Sequence, residues 1–86
     1  MKYNKDYSGK TAKEWLAEKK WTGFLMCVPI GNAKGYLCEN ANELNCIRST
    51  AAIMNNDPDC DRRFYVSADF ETKVVTVQAS LKNGNA

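Results

Sequence analysis

The segment over residues 42–55 constrains the fold more than any other part of the chain. Its apolar residues recur at the spacing of one helix face, and they are Leu44, Ile47, Ala51 and Met54, with Ile53 widening the stripe. Asn40 followed three residues later by Glu43 is a capping pair, with Asn42 as a competing cap. Pro58 forbids continuation of the helix. The segment therefore predicts one central amphipathic helix.

Strand-like sequence flanks this helix on both sides. In residues 22–30 both the odd-numbered and the even-numbered positions are mainly apolar. This pattern predicts a strand that is buried on two faces. Residues 31–35 carry two glycines and read as a turn, and residues 36–39 would return as the partner strand. Residues 64–70 alternate apolar with polar side chains, and residues 75–79 do the same. Two hairpins are therefore predicted, one before and one after the central helix.

A short helix is predicted ahead of the first hairpin. Thr11 and Glu14 have the spacing of a capping box, in which each side chain bonds the other residue's backbone amide. Trp15 and Leu16 follow on one face, and the helix is expected to run to about Lys20. Because two turns are marginal in isolation, packing of these two apolar side chains must hold the helix.

The element order predicts a single α+β domain. An N-terminal helix, a hairpin, the central helix and a second hairpin assemble most simply as a four-stranded antiparallel sheet with the central helix on one face. At 86 residues the chain has room for one modest core. The arm over residues 1–10 and the tail over residues 82–86 are expected to be mobile. The strand residues predicted to face the helix are Phe64, Val66, Phe70, Val75 and Val77.

The first predicted strand leaves a second apolar sheet face to be covered. In a strand over residues 22–30, Leu25 and Cys27 emerge opposite the side chains that face the helix. This face could be covered in three ways: by the N-terminal helix through Trp15 and Leu16, by a second copy of the chain in a homodimer, or by a foreign partner.

No membrane or metal signal is present in the sequence. No apolar run approaches the ~20 residues that span a bilayer, and the first residues lack the apolar core of a secretory signal, so a cytoplasmic location is expected. Free thiols are expected for the four cysteines, which are Cys27, Cys38, Cys46 and Cys60. They are separated by 11, 8 and 14 residues, so the sequence lacks the Cys-x-x-Cys pair of structural zinc sites, and histidine is absent. The sequence therefore predicts neither a metal nor another cofactor.

Catalysis is not expected either. Without histidine, a Ser-His-Asp or Cys-His arrangement within one chain is excluded. The alternating carboxylates of residues 57–61 resemble the start of a calcium loop. The sixth position, however, is Arg62 where glycine is needed, and the twelfth is Ala68 where a glutamate belongs. This segment is interpreted as a solvated linker, and the chain is predicted not to be an enzyme.

The candidate binding residues lie on the second hairpin and in the basic first segment. The net charge is only +2, and residues 1–23 hold six lysines against three acidic residues. Tyrosine and arginine gain most when they are buried at an interface centre, whereas lysines at a rim mainly speed encounter. The predicted surface comprises Arg63, Tyr65 and Gln78, flanked by Arg62, Lys13, Lys20 and Trp21.

These features favour a small protein-interaction module that inhibits or modulates a larger protein or nucleoprotein complex. Inhibitors carried by phages and mobile elements, such as anti-CRISPR and antitoxin-like proteins, have the same profile of size, although no motif links the chain to them. The alternative is an RNA-binding domain. Residues 63–66 superficially resemble the aromatic strand of RNA-recognition motifs, but the glycines of that signature are missing and the element order differs.

Overall fold

The fold is that of a computed structural model, which describes Tyr7 and residues 9–82. Most of the predicted N-terminal arm and of the C-terminal tail, residues 1–6, 8 and 83–86, lies outside the described residues. The elements in chain order are α1 (Ala12–Ala17), α2 (Trp21–Cys27), β1 (Lys34–Leu37), α3 (Ala41–Asn55), β2 (Arg62–Asp69) and β3 (Val74–Leu81). None of the described helices has the length and apolar character needed to cross a membrane.

Helix α3 is the predicted central helix, and its apolar stripe is confirmed. The buried apolar residues are Leu44, Ile47, Ala51 and Met54. Asn40 is the N-cap, because its side-chain oxygen accepts from the Glu43 amide at 3.1 Å. The expectation for Ile53 is wrong, since this residue is 63% exposed. It lies too far round the helix from Ile47 to reach the sheet.

Strands β2 and β3 pair antiparallel, and the predicted alternation of buried and exposed residues is present. Phe64 opposes Ala79, Val66 opposes Val77, and the exposed residues fall between them. The expectation for Phe70 is wrong. Strand β2 ends at Asp69, whose carboxylate accepts the backbone amides of the following turn, so Phe70 leaves the sheet and is 44% exposed.

The predicted first hairpin and the four-stranded sheet are not observed. Most of residues 22–30 form helix α2 rather than a strand, and the described sheet has three strands in the order β1-β3-β2. Strand β1 pairs antiparallel with β3, across the whole of α3 and β2 in sequence. A short apolar run fits a buried helix as well as a buried strand. Here Phe24 and Leu25 are completely buried within the helix, and Val28 is buried at its C-cap.

Leu25 consequently lies in the core and not on a second sheet face. It is completely buried, and Cys27 belongs to the last turn of α2. The apolar surface on which the expected homodimer rested is therefore not formed by these residues.

A close crossing joins α1 to α2. The predicted capping box of Thr11 and Glu14 is confirmed at the start of α1, which ends at Ala17, before the expected Lys20. Gly23 lies directly against the indole of Trp15, so that a Cβ atom at Gly23 would be 2.7 Å from a ring carbon. Trp15 also donates its indole N–H to the Tyr7 carbonyl at 3.0 Å, and the ring is held on two sides.

The two edges of the sheet differ. At the β2 edge, the Asn55 side chain accepts from the Phe64 amide at 2.7 Å and donates to the Phe64 carbonyl at 2.9 Å. One amide side chain thus takes the place of a neighbouring strand at that residue. Strand β1 forms the opposite edge, and no described strand lies beyond it.

The buried stripe of α3 makes a direct prediction. Ile47→Asp places an unpaired carboxylate at a completely buried position, which costs several kcal/mol against a total stability of about 5–15 kcal/mol. We expect this variant to be unfolded, whereas Arg48→Ala, on the exposed side of the same helix, should melt like the parent. Thermal melts followed by circular dichroism compare the two. A parent-like melt of Ile47→Asp would show that this face of α3 is not in the core.

The α1–α2 crossing makes a second prediction. Gly23→Ala forces the Trp15 ring away from α2, and overpacking of this kind costs about 1–3 kcal/mol, partly offset by the better helix propensity of alanine. The control is Gly9→Ala, where an added Cβ meets nothing within 4 Å. Urea unfolding should show lower stability for Gly23→Ala only. Equal stability of Gly23→Ala and the parent would mean that the two helices do not approach this closely.

Candidate functional site

The face of the sheet turned away from α3 is open. We call it the outer face, and the register assigns to it Gly35 and Leu37 of β1, Arg63, Tyr65, Ser67 and Asp69 of β2, and Val74, Thr76, Gln78 and Ser80 of β3. None of these ten residues is fully buried. The outer face is therefore a mostly polar surface that is accessible along all three strands.

Three of the predicted binding residues meet on the outer face. Tyr65 lies directly opposite Gln78, and Arg63 is the next outward residue along β2. Tyr65 is 58% exposed, although a tyrosine ring is large enough to gain from burial. The Gln78 side chain donates to the Gly31 carbonyl at 3.2 Å, which holds it across the sheet toward the loop before β1.

Arg62 does not belong to this group. It lies one residue from Arg63 and its side chain therefore emerges on the opposite side of the sheet. Its guanidinium donates to the Met26 carbonyl at the end of α2. The Nε atom is buried without a hydrogen-bond partner, and the Asp61 carboxylate lies 3.9 Å away. The expectation that Arg62 flanks Arg63 on one surface is wrong, because neighbouring strand residues point to opposite faces.

Lys13 and Arg62 line a groove of about 1110 Å³ instead. The groove runs between β1 on one side and α1 and the end of α2 on the other. We call it the edge groove. Its lining residues on β1 are Lys34, Gly35, Tyr36 and Leu37. The sequence contained no signal for these four residues as site residues, because the groove requires β1 to be the end strand.

Lys20 and Trp21 lie at the corner between α1 and α2. Lys20 is exposed at the N-cap position of α2 and makes no side-chain capping bond there. Trp21 is partly buried and packs against the core. None of the hydrogen bonds or ion pairs of the described residues joins either residue to Arg63 or Tyr65.

Among the described residues, the one buried charged side chain is the carboxylate of Glu43. It accepts hydrogen bonds from the Lys19 ammonium and from the Glu39 amide, the latter at 3.1 Å. The Lys19 bond, and secondarily the Glu39 amide, hold the pKa of Glu43 below its ordinary value against the opposing effect of burial. Lys19 also pairs with the Glu39 carboxylate at 3.4 Å, and its own pKa is raised, chiefly by Glu43. The cluster ties the α1–α2 corner to the start of α3.

This cluster does not activate the nearby thiol. Burial, and then the charge of Glu43, raise the pKa of Cys38, although Lys19 acts in the opposite direction. A thiol with a raised pKa holds its proton at neutral pH and is a poor nucleophile. Within Tyr7 and residues 9–82, no group of three or more potential ligand side chains is placed to hold a metal ion. Comparison of the chain with protein-family models, curated proteins and solved structures found no match.

Titration of Glu43 is expected to be visible in the pH dependence of stability. Its pKa is lower in the folded chain, so its stabilisation is present above the unfolded pKa of about 4.3 and is lost as the pH falls through the folded value. For Lys19 the folded pKa is raised, and its contribution is lost only as alkaline pH passes that value. Glu43→Gln should therefore be less stable at neutral pH and lose less stability on acidification than the parent.

The matched control is Glu71→Gln, an exposed glutamate in the turn after β2. Urea unfolding of the three proteins between acid and neutral pH provides the measurement. If Glu43→Gln lost as much unfolding free energy on acidification as the parent does, this titration would not belong to Glu43.

Proposed function

We propose that this chain is a small, non-catalytic protein-interaction module that inhibits or modulates a larger protein or nucleoprotein complex. The observation that carries the proposal is the group on the outer face, where an exposed tyrosine, an arginine and a glutamine lie together on an uncovered part of the sheet. Aromatic and arginine side chains supply most of the energy at the centre of protein interfaces.

The surroundings of Tyr65 suit docking on a protein surface. Its neighbours on the outer face include Ser67, Thr76 and Gln78, whose uncharged side chains lose less hydration energy than charged side chains would when a partner covers them. Arg63 adds one positive charge beside the ring, and an acidic residue of a partner would satisfy it. An acidic patch on a larger protein is therefore the partner surface that this face fits best.

RNA binding is the second candidate, and one observation favours it. Tyr65 and Arg63 are presented side by side on an open sheet face, which is how single-stranded nucleic acid is often bound. Asp69 lies on the same face, and Tyr65 is the only aromatic residue among the ten that form it. A platform that stacks successive bases needs more than one ring, so the protein partner is the better supported of the two.

The test begins with a tagged pull-down from the source cell that is analysed for both protein and nucleic acid. The affinity of the purified partner is then measured for Arg63→Ala/Tyr65→Ala. Truncation of a good hot spot costs about 2 kcal/mol or more, so the double variant should bind at least about tenfold more weakly through faster dissociation.

The matched control is Arg48→Ala/Ile53→Ala, which removes an exposed arginine and an exposed apolar side chain from α3 instead. It should bind like the parent, and both variants should melt like the parent. Unchanged affinity of Arg63→Ala/Tyr65→Ala would place the interface elsewhere. Capture of nucleic acid alone, released by salt, would favour the RNA-binding alternative.

A further inference from the structure

No described residue pairs with the outer edge of β1, so some backbone groups of this strand have no partner among the described residues. Cys38 donates its amide to the Lys73 carbonyl at 2.8 Å, and Tyr36 opposes Val75 in the register. Antiparallel ladders alternate between residues that bond the neighbouring strand and residues that point away from it. The N–H and C=O groups of Gly35 and Leu37 therefore point away from β3, toward the edge groove.

The edge groove has the shape and lining of a site for an extended segment. Its volume of about 1110 Å³ exceeds what a small ligand fills. The apolar residues that line it across from β1 are Ala12, Leu16, Met26, Cys27 and Pro29. A strand placed along β1 would lie between this apolar wall and the free backbone groups, and side chains on one of its faces would contact the wall.

The charge of the groove is of one sign. Its charged lining residues are Lys10, Lys13, Lys34 and Arg62, and no carboxylate occurs among the described lining residues. Lys10 is already bonded to Glu18 and lies over the Trp15 ring. Lys13 and Lys34 are exposed and take part in none of the ion pairs found among the described residues. A bound segment would meet at least these two uncompensated positive charges, in a concave site where charges of one sign act together.

We propose that the edge groove binds an extended, acidic peptide segment of a partner protein, which adds to β1 as a fourth strand of the sheet. The free N–H and C=O groups of Gly35 and Leu37 bond the backbone of the segment, and its carboxylates lie beside Lys13 and Lys34. Alternating backbone donors and acceptors along an edge match another peptide backbone and not a sugar-phosphate chain. The edge groove shares Gly35 and Leu37 with the outer face but includes none of Arg63, Tyr65 and Gln78, and this proposal does not depend on the function proposed for those three residues.

The probe is a fluorescein-labelled, acetylated heptapeptide of alternating glutamate and valine, titrated by fluorescence anisotropy at low salt. Two comparison peptides carry lysine in place of glutamate, or the same glutamates with every second backbone nitrogen methylated. The parent protein should bind the first peptide at concentrations below about 1 mM, and each comparison peptide should bind at least about tenfold more weakly. No binding of the glutamate peptide, or equal binding of either comparison peptide, would overturn the proposal.

Two protein variants locate the site. Lys13→Ala/Lys34→Ala should weaken binding about tenfold by removing both uncompensated charges. The control Arg48→Ala/Lys73→Asn removes two positive charges that do not line the groove, and asparagine tolerates the positive φ of 59° at position 73. The control should bind like the parent. Equal weakening in the two double variants would mean that the peptide senses net charge and not the edge groove.

Leu37→Pro tests strand addition itself. Proline removes the outward N–H of Leu37 and no hydrogen bond to β3, so an edge strand accepts it. Leu37→Ala removes the side chain and keeps the N–H. With parent-like melts for both variants, Leu37→Pro should abolish measurable binding and Leu37→Ala should reduce it only slightly. If Leu37→Pro folds and binds as well as Leu37→Ala, or if it fails to fold, β1 is not the open edge described and the proposal is wrong.

Discussion

The inner face of the three-stranded sheet is the one apolar surface on which the rest of the described structure depends. Val75, Val77 and Ala79 of β3 are completely buried there, and Leu44 and Ile47 of α3 belong to the same buried core. A chain of 86 residues has no second core with which to hold an element that misses this surface. Helix α2 adds Phe24 and Leu25 to the same core. Helix α1 adds Ala12 and Leu16 to this core, and the crossing at Gly23 and the ion pair of Lys19 with Glu43 of α3 hold it further.

The elements that the sequence predicted correctly are those with a clear period. Leu44, Ile47, Ala51 and Met54 are spaced for one helix face only, and the alternation around Phe64 fits only a half-buried strand. Residues 22–30 have no such period, because nearly every position is apolar. Their conformation depends on contacts that are distant in sequence, namely the Trp15 ring against Gly23 and the core around Phe24. The reason for a glycine at position 23 is clear only once the close contact with the Trp15 ring is known.

The candidate sites also differ in how far local sequence predicts them. The grouping of Arg63, Tyr65 and Gln78 follows from strand alternation and from the register of one hairpin, both of which are local properties. The same alternation places Arg62 on the other side, so this part of the surface could have been corrected from the sequence alone. The edge groove could not, because its β1 wall is next to α1 only after a strand pairing that spans about forty residues. Glu43 was only partly predictable: the sequence indicated its position in the capping pair with Asn40, but not its ion pair with Lys19.

The side chain of Asn55 has a consequence for how copies of this chain could associate. Sheets that grow without limit need two open edges on every copy, so that each addition leaves a new edge for the next. Asn55 already occupies the β2 edge at Phe64, and a strand arriving there would have to break both of its hydrogen bonds. Pairing of one β1 edge with the β1 edge of another copy breaks none, but it uses up the open edge of both. Asn55 therefore makes growth at the β2 edge less favourable than pairing at the β1 edge, so a single amide works against fibre growth in a protein that keeps one strand exposed.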